Sequence, residues 1–365
     1  MGCGLHSRKT SIIQSRFNEN IITSSPNKEY KNIENTINKN TDFKDLKIFD
    51  KYENLSILED DNKELNNNNA FYSNFINNIY FEDKTIFIKN IKTNKSIIEY
   101  IRLIINNNIT NTKNLYMQNV LNNINEDVFV YLSKILVNRI SSLYIENTNQ
   151  CIIDNDNNYI SLLIENNSNI LSSILLNKIE SNNKTSFISI DEGIKKCTNL
   201  TELKLYKYEL SQNFLSSLKN ILNIQNLHLV ECNIENYYSI IIEYILNLKF
   251  LKELNLSKNN LKSCHMCYLF DFNLSYLEKI NLESCELNDN NLLELKDKLI
   301  STSNNLNISE VNFNNNYLSF NSIEYINNII IYMPKLKILN ITNNDLSNEY
   351  VKAHLIEEGL NKIII

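Results

Sequence analysis

The stretch Leu251 to Leu261, LKELNLSKNNL, places apolar residues at offsets 0, 3, 5 and 10 and an asparagine at offset 8. The same phrase returns as IQNLHLVECNI from Ile224 to Ile234 and as LEKINLESCEL from Leu277 to Leu287, both with cysteine at offset 8. Ten copies begin at positions 83, 112, 140, 171, 200, 224, 251, 277, 308 and 336, at spacings of 24 to 31 residues. Self-similarity at this period indicates a solenoid, in which each unit buries its apolar face against its neighbours.

The ten copies are not equally regular. From the copy that begins at Ile224 onward, offset 8 is Cys or Asn: Cys232, Asn259, Cys285, Asn316 and Asn344. The earlier copies hold Ile91, Val120, Thr148, Ile179 and Tyr208 there. They keep the apolar pairs of the strand core (Ile86/Ile88, Leu115/Met117, Leu143/Ile145 and Ile174/Leu176). We interpret them as degenerate repeats of the same unit.

The repeat resembles the leucine-rich repeat, and its length and Cys/Asn alternation are most similar to the ribonuclease-inhibitor type. This resemblance implies an α/β solenoid, a horseshoe with parallel strands on the concave face and helices on the convex face. It also implies that the offset-8 side chain bonds the backbone of neighbouring turns. The match is specific from Leu200 to the C terminus and weaker upstream.

Helical periodicity follows the strand cores. Ile97, Ile98, Ile101, Ile104 and Ile105 form one face of a predicted helix. Another helix is predicted before Leu200. We expect its first turn to hold Asp191, Glu192 and Gly193, because acidic side chains are favoured at a helix N terminus.

Three regions follow from this pattern. Residues 1–40 are polar and weakly patterned, which predicts a flexible N-terminal arm. Residues 41–82 regain apolar residues and predict an N-terminal cap, with a candidate degenerate repeat beginning at Tyr52. Residues 83–365 are the leucine-rich repeats, and a further copy begins at Leu360.

The composition argues against several classes of function. A net charge of -6 and only four arginines predict that nucleic acid is not a partner. With 4 glycines, a glycine-rich phosphate loop is not expected. Cys264 and Cys267 flank His265 and Met266, but no second ligand pair follows at a suitable spacing, so we predict no metal and no other cofactor. No catalytic grouping is found either, which predicts a protein that is not an enzyme and has no small-molecule substrate.

The candidate binding residues lie at offset 4, the centre of each strand. If offsets 0, 3 and 5 point into the core, this column faces the concave groove. Its first part is apolar or aromatic, its middle is basic or titratable, and its last four residues are asparagines. We add Tyr206 and Lys207, which follow Lys204 in the chain. The predicted partner-binding residues are then Phe87, Tyr116, Tyr144, Leu175, Lys204, Tyr206, Lys207 and His228.

Exposed aromatic residues are typical of binding hot spots, so we expect a partner helix or extended segment across the aromatic residues. Acidic groups of that partner would meet the basic residues. The alternative is that these are strand-favouring residues that cover one another on a pleated surface. For the asparagine column (Asn255, Asn281, Asn312 and Asn340), we expect a structural ladder of amides bonded to each other.

The amino terminus reads MGCGLHSRKT, which makes Gly2 a candidate for myristoylation and Cys3 a candidate for palmitoylation. The usual pattern has Ser or Thr at position 6, whereas this chain has His6 and its serine one place later. The alternative is an unmodified, disordered start. No secretory signal follows the first Met, which predicts a cytoplasmic protein, held peripherally on a membrane if the lipids are attached.

The sequence therefore predicts a non-enzymatic scaffold or adaptor that holds a protein partner at the cytoplasmic face of a membrane. The alternative is a soluble regulator of a small GTPase, because proteins of this repeat type include the GTPase-activating protein for the nuclear-transport GTPase. No motif here allows catalytic residues to be carried over from that protein.

Overall fold

The computed structural model describes residues 79–90, 95–119, 126–152, 159–180, 184–270, 275–301, 306–346 and 363–364. These residues belong to the second of the two units into which the chain divides, residues 68–365. The predicted arm, including Gly2 and Cys3, and the candidate repeat at Tyr52 lie outside the described residues. So does all of the predicted cap except Ile79–Glu82.

Within the described residues, twelve strands form one sheet whose spatial order is the order of the chain. Every neighbouring pair is parallel except the first, in which β1 and β2 are antiparallel. The strands are β1 (Ile79–Glu82), β2 (Thr85–Lys89), β3 (Asn114–Gln118), β4 (Ser142–Ile152), β5 (Ser173–Glu180), β6 (Glu202–Tyr206), β7 (Asn226–Val230), β8 (Glu253–Asn255), β9 (Lys279–Asn281), β10 (Glu310–Asn312), β11 (Ile338–Asn340) and β12 (Ile363–Ile364).

Helices form most of the connections between the parallel strands, as is usual for a parallel crossover. They are α1 (Lys95–Asn108), α2 (Glu126–Ile135), α3 (Tyr159–Glu165), α4 (Lys184–Lys195), α5 (Gln212–Leu218), α6 (Tyr238–Leu246), α7 (Asp289–Ser301) and α8 (Ser322–Tyr332). Short 3₁₀ segments occupy Ile234–Tyr237, before α6, and Met266–Phe270, between β8 and β9. The predicted α/β solenoid of parallel strands and alternating helices is confirmed.

The core is built by the apolar offsets of the repeat. Leu115 pairs in register with Leu143 on the next strand, and Leu203 pairs with Leu227. All four side chains are 0% exposed. Burying one such side chain stabilises the fold by about 1.5–3 kcal/mol. The stack is stable because successive repeats place the same offset in the same layer.

The terminal strands at the two ends of the sheet pair in different directions. At the N-terminal end β1 folds back antiparallel on β2, with Tyr80 opposite Phe87. At the C-terminal end β12 pairs parallel with β11 and places Ile363 in register with Leu339. The strand expected from the copy beginning at Leu360 is therefore present.

In nine of the ten copies the residue at offset 7 has a positive φ; it follows the strand in eight copies and lies within β5, as Lys178, in the ninth. A positive φ is easy for asparagine, which tolerates this backbone better than most residues. The exception is the copy starting at position 140, where β4 continues to Ile152. The residues with positive φ at offset 7 are Asn90, Asn119, Lys178, Lys207, Glu231, Lys258, Ser284, Asn315 and Asn343.

The expected position of Asp191 is wrong. Helix α4 begins at Lys184, so Asp191 lies in its C-terminal half and does not begin it. The side chain is 1% exposed and contacts the next repeat instead of solvent. Its role is to accept hydrogen bonds from Tyr208 and Ser211. The sequence pattern misplaces the start of the helix because the polar residues before Asp191 resemble a loop.

Candidate interaction surface

The residues at offsets 2, 4 and 6 form the open face, which is the side of the sheet away from the helices. On β3 the burial pattern alternates, so that Leu115 and Met117 are buried while Tyr116 between them is partly exposed. The same alternation holds on β2 and β6. The side chains of Phe87, Tyr116 and Lys204 at offset 4 are thus partly exposed between buried neighbours.

An aromatic stripe crosses the first strands of the open face. The ring of Tyr80 stacks on Phe87, with centroids 4.6 Å apart and planes 14° apart. Phe87 lies 5.5 Å from the ring of Tyr116. Tyr144 pairs in register with Tyr116, and Leu175 pairs in register with Tyr144. Four predicted residues are thus brought side by side, and Tyr80 from β1 extends them.

Lys89, which the sequence reasoning missed, covers one end of this stripe. Its ammonium nitrogen lies 5.2, 4.9 and 5.4 Å from the ring centroids of Tyr80, Phe87 and Tyr116. It also donates a hydrogen bond of 2.9 Å to the hydroxyl of Tyr80. These are cation–π distances. The signal that could have found Lys89 is its position at offset 6 on the strand of Phe87.

The predicted basic residues already have acidic partners within the chain. Lys204 forms a 2.6 Å salt bridge with Glu202 on its own strand. Lys207 occupies the left-handed turn after that strand and pairs with Glu231 of the next repeat at 2.9 Å. Although burial opposes it, the hydrogen bonds from Lys204 and Ser173 lower the pKa of Glu202. Acidic groups of a partner would therefore have to displace Glu202 from Lys204 or Glu231 from Lys207 before they could pair with these lysines.

His228 is held by both of its ring nitrogens. Nδ1 lies 3.0 Å from the hydroxyl of Tyr206, and Nε2 lies 3.0 Å from Oε1 of Glu253. The residue is 7% exposed, less than expected for a groove contact. Burial lowers the pKa of His228, against the opposing effect of Glu253. This histidine links two strands and offers little surface to a partner.

The asparagine column does not form the expected ladder. Each amide oxygen accepts a hydrogen bond from the backbone N–H two residues later, at distances of 2.9–3.1 Å. Within the described residues, no hydrogen bond joins two of these four amides. The asparagines close the turn after each short strand, because an asparagine side chain can accept a hydrogen bond from the backbone two residues later. The column is Asn255, Asn281, Asn312 and Asn340.

The offset-8 side chains join each repeat to the next. Oδ1 of Asn259 accepts the N–H of Cys232 at 2.9 Å, and its Nδ2 donates to the carbonyl oxygens of Leu229 and Leu256 at 2.7 and 2.8 Å. Asn316 makes the equivalent bonds, accepting the N–H of Cys285 at 2.9 Å. The backbone of the turns is thereby satisfied inside the core. The chain folds as a leucine-rich-repeat solenoid.

Comparison with solved structures finds chains that are similar to this one at low sequence identity. An internalin from Listeria monocytogenes is 16% identical with a TM-score of 0.44, covering 76% of this chain and 73% of that chain. The yeast Rad7 and Elc1 complex contains a chain that is 15% identical with a TM-score of 0.45, covering 70% and 68%. The TLR13–ssRNA13 complex gives 17% identity and a TM-score of 0.41, covering 71% and 35%.

No protein-family profile matches the sequence, and no curated protein is similar enough to be matched. The ribonuclease-inhibitor subtype of the repeat stays a prediction. So does the exclusion of nucleic acid, which rests on charge.

Two further observations concern chemistry and membranes. In the described part of the chain, no group of three His, Cys, Asp or Glu side chains is arranged to hold a metal ion. Burial raises the pKa of Cys264 to about 11, so this thiol is protonated at neutral pH. None of the helices that the structure describes is long and apolar enough to span a bilayer.

Proposed function

We propose that this leucine-rich-repeat protein is a non-enzymatic scaffold that binds a protein partner on its open face. The observation that supports this most is the aromatic stripe of Tyr80, Phe87, Tyr116 and Tyr144. The rings of Tyr80, Phe87 and Tyr116 contact one another in sequence, and Tyr144 lies in register beside Tyr116. On a sheet face opposite the described helices, such rings offer a large apolar area with little side-chain entropy to lose. A helix or an extended segment of the partner would lie across them.

The stripe is also pre-organised. Tyr116 donates a 2.6 Å hydrogen bond to Glu146, one strand along. Lys89 holds Tyr80 and Phe87 from the other side. Rings that are already fixed lose less freedom on binding than mobile ones, which favours affinity. The partner that fits best has an apolar anchor for the rings and a group that can pair with Glu146 or Lys89.

The experiment is affinity capture from cells with the full chain, comparing wild type with Tyr116→Ser/Tyr144→Ser. A matched control is Tyr317→Ser, because Tyr317 is 63% exposed and lies away from the stripe. We expect the stripe variant to lose specific partners that the control keeps, while both retain the circular dichroism spectrum of wild type. Equal capture by all three proteins would refute docking on the stripe.

The same experiment addresses the GTPase alternative. Partners that are small GTPases would be assayed for GTP hydrolysis with and without the purified protein. A faster rate of GTP hydrolysis in the presence of the protein would support a regulator of small GTPases over a passive scaffold.

We propose further that the protein is tethered to the cytoplasmic face of a membrane through Gly2 and Cys3. The support is the MGC start and the basic residues Arg8, Lys9 and Arg16, which would meet anionic lipid. One myristoyl chain binds membranes only marginally, so a second signal is needed. Metabolic labelling with a clickable myristate analogue tests this, with Gly2→Ala as the control. Absence of label on the wild-type chain would refute the proposal.

A further inference from the structure

A second exposed aromatic cluster lies on the rim of the sheet where the strands begin. Phe250 and Tyr276 occupy offset −1 of two consecutive repeats, and their rings are 6.3 Å apart. Phe250 is 50% exposed and Tyr276 is 55% exposed. The aromatic stripe lies on other strands, so this rim pair is separate from the surface proposed above.

In three other repeats the residue at offset −1 is an asparagine that bonds the preceding repeat. Asn199 donates to the carbonyl oxygen of Asn169 at 2.7 Å, and Asn223 donates to that of Thr198 at 3.0 Å. Asn307 donates to the carbonyl oxygen of Ser275. Each asparagine thus ties its repeat to the preceding one. Among the residues that the structure describes, the side chains of the rim pair make no such bond.

Two adjacent repeats therefore lack the hydrogen bond that Asn199, Asn223 and Asn307 make, and they expose two rings to water instead. Neither change favours folding, since a lost bond and an exposed aromatic both cost free energy. Positions that break a local structural rule without a gain in stability are expected at functional sites. Adjacent exposed rings are also what binding hot spots consist of.

The charge around the rim pair indicates the chemistry of the partner. From the repeat at 224 to the repeat at 336, offsets −2, −1 and 1 hold four lysines and one acidic residue, Glu278. The chain as a whole has a net charge of -6, so this rim is a local exception. No ion pair among the described residues involves any of the four. They are Lys249, Lys252, Lys335 and Lys337.

We propose that Lys249, Phe250, Lys252 and Tyr276 form a rim patch that binds an acidic peptide segment with an apolar or aromatic anchor. The anchor would pack on the two rings, and the acidic residues would pair with the lysines. A short acidic segment fits better than nucleic acid, because a long polyanion would extend onto the acidic remainder of the protein.

The probe is a fluorescein-labelled peptide of alternating Asp, Glu, Leu and Phe, titrated with the full chain and followed by fluorescence anisotropy. Two companion peptides replace either the acidic or the apolar residues with Ser. We expect binding of the first peptide only, and a loss of affinity as salt is raised. Equal binding of the Ser peptides, or no binding of the first, overturns the proposal.

The decisive variant is Phe250→Asn/Tyr276→Asn, which restores the asparagine found at this offset in neighbouring repeats. We expect it to be at least as stable as wild type in thermal unfolding and to bind the peptide about tenfold more weakly or worse. A structural role for the rings predicts the opposite, namely a lower melting temperature and unchanged binding. That result would refute the patch.

Charge and specificity are tested separately. Lys249→Glu/Lys252→Glu should also weaken binding, whereas Ile331→Ser on α8, which is 56% exposed in wild type, should not. Labelled oligothymidylate and phosphatidylserine vesicles test the other polyanions. Tighter binding of either one, lost in the Phe250→Asn/Tyr276→Asn variant, would assign the patch to nucleic acid or lipid and refute a peptide partner.

Discussion

The hydroxyl of Tyr208 donates a 3.0 Å hydrogen bond to Oδ1 of Asp191, and both side chains are 1% exposed. Tyr208 occupies offset 8, where the later repeats hold Cys or Asn. Its ring reaches back to α4 of the preceding repeat, and Ser211, the N-cap of α5, also donates to Asp191 at 2.7 Å. One buried carboxylate thus replaces the usual amide at this boundary between repeats.

Asp191 predicts a dependence of stability on pH. Burial raises the pKa of Asp191 from 3.8 to about 6, against the hydrogen bonds from Ser211 and Tyr208. The folded state therefore binds more protons than the unfolded state between pH 4 and 6. The Asp191 contribution to the free energy of unfolding should fall as the pH rises through this window, by about 3 kcal/mol in total.

Asp191→Asn should remove this dependence. We expect the variant to be more stable than wild type at pH 7.5 and to differ least below pH 4, as measured by urea unfolding at several pH values. A variant that loses stability equally at every pH would show instead that the carboxylate is needed for packing alone.

Asp289 should change the free energy of unfolding with pH in the opposite direction to Asp191. It lies in the first turn of α7 and accepts hydrogen bonds from the N–H and the hydroxyl of Ser319 and from the hydroxyl of Ser322. Burial alone would raise the pKa of Asp289, but these bonds lower it below 3.8. Its stabilisation is present above this value and lost as the pH falls below it.

Asp289→Asn should therefore destabilise the protein at pH 7, by about 1–3 kcal/mol, and have a smaller effect as acid protonates the carboxylate. Parallel urea titrations of both Asp variants give an internal comparison. The prediction fails if the two variants shift stability in the same direction at neutral pH.

The amide of Asn259 should be among the most costly polar groups to remove. Asn259→Ala leaves the buried N–H of Cys232 without its acceptor and removes a donor from the carbonyl oxygens of Leu229 and Leu256. An orphaned group costs about 1–3 kcal/mol and the other lost hydrogen bonds add to this, so we expect a loss of about 3 kcal/mol or more. Asn260→Ala, one residue along and exposed, should cost less than about 1 kcal/mol. Thermal unfolding followed by circular dichroism measures both.

The contact between Lys89 and Phe87 should be measurable as a coupling energy. In a double-mutant cycle with Lys89→Met and Phe87→Leu, we expect about 0.5–1 kcal/mol of interaction beyond packing. Methionine keeps the apolar length of the side chain and removes only the charge. A coupling energy near zero would show that the ammonium group is held by the hydroxyl of Tyr80 alone.

The repeat period, the parallel strands and the buried offsets could be predicted from the sequence, because apolar spacing within one unit is a local property. Leu251, Leu254 and Leu256 indicate their burial without knowledge of any distant residue. The offset-8 role of Asn259 was also predictable, since the resemblance to the leucine-rich repeat names that position. The direction of Tyr116 followed from the same alternation.

The partners of the polar side chains required the folded arrangement. Lys89 contacts Tyr116, and Tyr206 contacts His228. Both contacts exist because strands more than 20 residues apart in the chain lie side by side. No local pattern shows which of several possible partners a lysine or a histidine selects. The rim pair is the clearest case. Phe250 and Tyr276 look ordinary in the chain, and only stacking of the repeats brings the two rings together, between repeats whose Asn223 and Asn307 bond the preceding repeat at the same offset.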